Sequence, residues 1–242
     1  MTRTRVLFAF IHIPKTAGST LETILRQSFC SRHCDVRVGD DFNGPLLTAE
    51  VLRRTRWVYP RLASIAGHSV RPHGDLQAVR GGVRYYTLLR EPVVRCASEY
   101  QFRVQRDGLP DDFGRWIHSG IARNRQTKML AGVEDADAAI EMLRAKVGLV
   151  GLVERFNESL VLLRRWFDDP RLDIRYRSKN VTADNRLKRG LLNDPRSRRL
   201  LDEANREDRR LYDYVAAELY PAQVRAYGEA ARRPIRGNWA AC

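Results

Sequence analysis

Lys15-Thr16-Ala17-Gly18-Ser19-Thr20 is the stretch best suited to chemistry: small and hydroxylated apart from its one lysine. A lysine, three hydroxyls and a run of backbone N–H groups at the start of a helix would together stabilise an anion, phosphate above all. Two further groups could act with it. His68 follows Gly67, and an imidazole exchanges protons near neutral pH. Arg90 and Ser98 supply a guanidinium fork and a hydroxyl. These two can converge on one phosphate if the ligand lies alongside the helix that joins them.

The elements that must position these residues follow from periodicity. Val6 to Ile13 is a near-continuous apolar run of strand length, as in a parallel strand buried on both faces, and Pro14 ends it. Leu21, Ile24, Leu25 and Phe29 then recur at helical spacing. Leu62–Ala66 reads as a short strand stopped by Gly67-His68, which puts the histidine where open α/β sheets place ligands. Val83–Leu89 is a strand rich in aromatic and branched residues, with Arg90 at its end and Pro92 in the first turn of a helix. Val147–Val153 is a further buried strand, and Leu172–Tyr176 the last candidate.

Helices are expected over Thr48–Arg54, with Thr48 as cap and Val51 and Leu52 inward, and over Asp112–Ser119 and Ala122–Leu130. Asp135–Lys146, Glu154–Phe167, Arg198–Leu219 and Ala222–Arg232 complete the set, followed by a mobile tail from about residue 233. The charged faces of the last two read as solvent-facing. The predicted fold class is α/β: a P-loop-NTPase-like parallel sheet flanked by helices, with residues 1–242 forming a single domain.

The 242 residues carry a formal charge of +14, mostly as arginine. That excess predicts anionic ligands: a nucleotide, an acidic acceptor or nucleic acid. No recognition-motif signature for nucleic acid accompanies it. No stretch reaches the roughly 18 apolar residues of a membrane span, and Val6–Ile13 is short and without a cleavage-site pattern. The expected location is cytoplasmic. Cys30, Cys34, Cys96 and Cys242 form no disulfide framework. Cys30-Ser31-Arg32-His33-Cys34 has no second ligand pair at a familiar spacing, so no metal is expected.

The loop is not a Walker A motif, whose lysine directly follows the second glycine; here Lys15 precedes Gly18. His12-Ile13-Pro14-Lys15-Thr16-Ala17-Gly18-Ser19-Thr20 instead resembles the 5′-phosphosulfate loop of sulfotransferases that use 3′-phosphoadenosine 5′-phosphosulfate (PAPS), in the form of the heparan-sulfate 2-O-sulfotransferase branch. Arg90 and Ser98 resemble the family's 3′-phosphate motif at the family spacing. Asn124-Arg125-Gln126-Thr127 and Val147–Phe156 resemble further family segments, with Asn124 and Gln126 either reaching the cleft or lying on a plain helix surface.

The resemblance implies a role for each residue. Lys15 and the backbone from Thr16 through Ala17, Gly18 and Ser19 to Thr20 would hold the 5′-phosphosulfate. Arg90 and Ser98 would hold the 3′-phosphate, and His68 would be the catalytic base. Ser69-Val70 stands where the family usually has an aromatic residue, which alters the local pocket wall. His73 is the rival base, with a carboxylate such as Glu22 as a further candidate, and His12 reads as structural. The basic segment from Arg175 to Arg189 corresponds to one that folds over the nucleotide in relatives. The implied reaction is sulfuryl transfer to a carbohydrate hydroxyl, with tyrosine in an acidic peptide as the alternative acceptor. Both are anionic partners. A basic nucleic-acid-binding protein is the reading from a different class.

Overall fold

A computed structural model describes residues 6–38, 44–176 and 184–228. Five parallel strands form one sheet in the order β2-β3-β1-β4-β5. They are β1 (Leu7–Ile11), β2 (His33–Asp35), β3 (Ser64–Gly67), β4 (Val83–Leu89) and β5 (Val147–Leu152). Every residue of β1 is buried, as its apolar run requires of the central strand. The chain winds outward from β1 to β2, returns through β3, then crosses to β4 on the other side of β1. Crevices for ligands open at such a reversal, beyond the carboxyl ends of the strands.

Register completes the placement. Ile11 pairs with Gly67 on one side and with Thr87 on the other. The residues that follow β1, β3 and β4 therefore emerge along one edge: His12, His68 and Arg90. Thr87 Oγ1 also donates to the Ile11 carbonyl across 2.9 Å.

Helix α1 (Gly18–Phe29) packs Leu21, Ile24, Leu25 and Phe29 onto the sheet. Phe8 of β1 stacks on Phe167 with ring centroids 3.8 Å apart, at the end of α7 (Phe156–Phe167). α2 is Ala49–Val58, with Thr48 as its cap accepting from Val51 N; Leu52 is buried as expected, but Val51 is 39 % exposed. α3 (Pro92–Arg106) has Pro92 in its first turn and the Glu91 carboxylate accepting from Val94 N. The short α4 (Phe113–Ile117) and α5 (Arg125–Ala131) follow. Asp135 then caps α6 (Ala136–Lys146). A second apolar cluster joins Val93, Ala97 and Tyr100 of α3 to Trp116 of α4, and to Leu191 and Leu201 of the helices α8 (Arg186–Asn193) and α9 (Pro195–Ala204).

The fifth strand is not the expected one. Leu172–Tyr176 has no strand structure; its backbone is held to α1 by the Ser28 hydroxyl, which accepts from Asp173 N at 2.9 Å. The edge position is filled by β2, where the His33 ring bonds to Ser64 Oγ and to Asp35. An edge strand needs one partner only, so these three polar residues suffice without an apolar run.

The expected helix Arg198–Leu219 is also two helices. It breaks at Asn205, whose side-chain amide donates to the Leu201 carbonyl, and resumes as α10 (Arg206–Tyr214). The break turns Asp208 fully inside, against the expectation of a solvent-facing charged surface. Beyond α10 the chain continues through a π-helical turn (Val215–Leu219), α11 (Tyr220–Gln223) and a second π-turn (Val224–Gly228). The tail from about residue 233 lies outside the described residues.

Candidate active site

The β1–α1 loop departs from ordinary backbone geometry at alternate residues. Lys15 has φ 66° and Ala17 φ 61°, both left-handed and both without the freedom of glycine. Each costs about 1–2 kcal/mol, a strain that persists where surrounding structure fixes it and that clusters at ligand sites. Thr16, between them, is fully buried, and its hydroxyl donates inward to the Ile13 carbonyl at 2.8 Å. That hydroxyl proton is therefore committed to the loop itself. Thr20 N and Leu21 N make the first bonds of α1, both to the Ala17 carbonyl. The N–H groups of Ala17, Gly18 and Ser19 lie ahead of those bonds. Ala17 gives no side-chain cap, and the first turn carries no acidic residue. The helix start is thus open to an anion from outside the chain.

Gly18 is required by its neighbour. A Cβ there would lie 2.0 Å from the His12 ring. His12 Nδ1 is 2.6 Å from Glu22 Oε1 of α1, and the ring stacks on His68 with centroids 4.2 Å apart. His68 Nδ1 is 2.6 Å from the His12 main-chain carbonyl. A carbonyl can only accept, so Nδ1 carries the proton and Nε2 the lone pair. Burial, then the charge of His12, hold the His68 pKa down at about 3, so the ring is neutral at pH 7. Gly67 has its own reason: a Cβ there would lie 2.2 Å from the Val36 carbonyl. His73, the rival, bonds through Nδ1 to the Leu130 carbonyl and is half-buried, with burial lowering its pKa.

Arg90 reaches the loop. Its guanidinium donates to the Lys15 carbonyl at 3.1 Å. The acids that neighbour it in sequence are engaged elsewhere, Glu91 with Arg209 and Glu99 with the buried Arg95. Gln126 clasps the Arg90 backbone, accepting from its N–H and donating to its carbonyl, each at 2.9 Å. Gln126 and Asn124 are buried, so neither is plain helix surface and both act through the scaffold. Asp208 accepts from Gln126 N and Thr127 N and so caps α5 from α10. Ser98, half-buried, lies on α3 one turn before Phe102, and the Lys15 ammonium sits 4.2 Å from the Phe102 ring. Ser98 is thus on the face of α3 that carries Phe102, while Ser19 is exposed at the helix mouth.

Two cations that sequence reasoning did not single out belong to this cluster. Lys188 and Arg106 act on Lys15 together with Arg90. Burial is the main cause of the lowered Lys15 pKa; Glu99 opposes it and the three cations add to it. Burial, then Arg90, likewise lowers Lys188. Lys188 N bonds to Gln101 Oε1, which fixes the start of α8 on α3. Lys188 lies in the expected basic flap, but residues 177–183 of that segment are outside the described residues. Beside His68 stand two more buried cations. Arg71 donates to the His68 carbonyl at 2.6 Å, with its pKa brought to about 10 by burial and by the charge of Arg125. Nothing in the local pattern marked Arg71 or Arg106; each is an arginine among many.

The all-parallel five-stranded sheet flanked by helices, with an uncapped helix start after its central strand, is a P-loop-like α/β fold. Among solved structures the chain is similar to a sulfotransferase from Alicyclobacillus acidocaldarius, with TM-score 0.53 and 15 % identity, over 90 % of this chain and 98 % of that one. The likeness is one of fold. No protein-family model matches the chain, and no curated protein matches its sequence. Among the described residues no helix is long and apolar enough to cross a membrane, and no group of three or more His, Cys, Asp or Glu could hold a metal ion.

Proposed function

We propose that this protein transfers the sulfuryl group of PAPS to a hydroxyl of an anionic acceptor, in the cytoplasm. The observation that carries the reading is the contact of Arg90 with the Lys15 carbonyl, which joins the two phosphate-binding stretches beside a neutral His68. The fold shared with a bacterial sulfotransferase supports it. The donor fits the residues present. Its 5′-phosphosulfate would take the N–H groups at the start of α1 and the Lys15 ammonium, and its 3′-phosphate would take Arg90 and Ser98, with Lys188 and Arg106 as added charge.

In the reaction the acceptor oxygen bonds to sulfur as the bond from sulfur to the bridging phosphate oxygen breaks. Lys15 stabilises the charge that grows on that oxygen. His68 Nε2 takes the hydroxyl proton. A pKa of about 3 makes the ring a weak base in the empty site. The negative charge of the bound donor raises its proton affinity, so that acceptance accompanies bond formation. Adenosine 3′,5′-bisphosphate leaves. The acceptor we favour is an acidic saccharide; tyrosine in an acidic peptide meets the same cations.

The test is transfer of label from PAPS to a panel of acidic polysaccharides, neutral polysaccharides and acidic tyrosine peptides. Transfer to an acidic saccharide is expected. Transfer to tyrosine alone moves the acceptor assignment. No transfer to any member, with no binding of adenosine 3′,5′-bisphosphate, overturns the reading.

A further inference from the structure

We infer that Glu22 and His12 form a positioning pair that holds the His68 ring in its plane and in its Nδ1–H tautomer. The inference rests on the reading of His68 as the proton acceptor and extends it to two residues that touch neither donor nor acceptor.

Geometry carries it. His12 holds His68 twice: its main-chain carbonyl takes the Nδ1 proton at 2.6 Å, and its ring covers one face with centroids 4.2 Å apart and planes 32° from parallel. The first contact sets the tautomer, and the second resists rotation of the ring about its χ2 bond. The His12 ring is itself fixed on two sides. Glu22 Oε1 accepts from Nδ1 at 2.6 Å, and Gly18 leaves room for the opposite edge only because it has no Cβ. The chain Glu22, His12, His68 thus ties the start of α1, which would receive the donor, to the proton acceptor at the end of β3. A carboxylate and a second imidazole, both largely buried, are not needed to close a strand end.

Charge works in the same direction. Among the described residues the charges facing His68 are His12 from the end of β1, Arg125 from α5 and Arg71 from the loop after β3; burial and these charges disfavour a proton on it, while the bond to the His12 carbonyl favours one. Glu22 faces His12, with Arg26 3.8 Å beyond it.

The test is the imidazole spectrum of the ¹⁵N-histidine-labelled full chain, assigned with His68→Ala, for Glu22→Gln, Glu22→Ala and His12→Asn. The wild type should show one His68 tautomer, Nδ1–H. Glu22→Gln keeps an acceptor for His12 Nδ1, so the His68 tautomer should stay Nδ1–H. Glu22→Ala and His12→Asn keep the His12 carbonyl but loosen the ring that covers His68, so the His68 ring signals should shift or broaden and kcat fall about 10- to 100-fold at unchanged donor KM. If one of these two variants fails to fold, the other decides.

A His68 spectrum unmoved in Glu22→Ala and His12→Asn, or in the one of them that folds, overturns the inference. So does a loss of kcat matched by an equal loss of donor affinity, which would mark a merely structural role. Spectra that change as expected while turnover stays at the wild-type rate leave the pair in place and overturn His68 as proton acceptor instead.

Discussion

The guanidinium of Arg90 donates to the main-chain carbonyl of Lys15 across 3.1 Å, although the two residues are 75 positions apart in the chain. β4 lies beside β1 in parallel register, so the end of one strand meets the loop after the other. The arginine proposed to hold the 3′-phosphate thus also braces the loop proposed to hold the 5′-phosphosulfate.

Arg90→Ala should weaken adenosine 3′,5′-bisphosphate far more than adenosine 5′-phosphosulfate, which has no 3′ group. A charged hydrogen bond contributes about 1.5–3 kcal/mol, or roughly 10- to 150-fold in affinity. Calorimetry with both nucleotides measures the difference. Equal losses would mean that Arg90 serves the loop alone.

Gln126 is fully buried and satisfies both backbone groups of Arg90. Gln126→Leu strands an N–H and a carbonyl, at about 1–3 kcal/mol each. A lower melting temperature together with weaker nucleotide binding is expected. Destabilisation without any change in nucleotide affinity would separate the clasp from the site.

Ala17 pays a left-handed penalty that glycine does not. Ala17→Gly should raise stability by up to about 1 kcal/mol, because relief of that strain outweighs the added freedom of the unfolded chain. Gly18→Ala should do the reverse, since its Cβ would displace the His12 ring. Thermal unfolding of the two variants side by side checks the pair; a stabilised Gly18→Ala protein would contradict the packing described for His12.

His68→Ala should retain affinity for adenosine 3′,5′-bisphosphate and lose roughly 10²–10⁴-fold in turnover, the scale of general-base catalysis. Near-normal turnover in the variant would place the base elsewhere, with His73 or the Glu22 carboxylate the next residue to test.

The same histidine should leave a mark on acid stability. Its folded pKa of about 3 lies below the ordinary 6.5. Between those values the unfolded chain binds a proton that the folded protein does not, so stability falls as pH drops from 6.5 towards 3. Urea unfolding from pH 7 to 4 should show a shallower loss in His68→Gln than in the wild type. Identical slopes would show that His68 takes its proton without leaving the fold.

What the sequence determined by itself was whatever depends on neighbours in the chain. The apolar run of β1, the small residues after Lys15, Pro92 in the first turn of α3 and the Asp135 cap of α6 act over a few residues, and all are legible there. The tertiary structure alone decided which distant groups share a charge or a hydrogen bond. Leu172–Tyr176 reads as a strand but is held by Ser28, while polar His33–Asp35 takes the sheet edge because β3 offers it a free side. Asp208 reads as helix surface until the break at Asn205 turns it into the cap of α5. Arg106 and Arg71 carry no local signal, and neither Lys188, in its basic stretch, nor Glu22, a spare carboxylate, shows its partner there, because the field at a site sums over residues that only folding brings together.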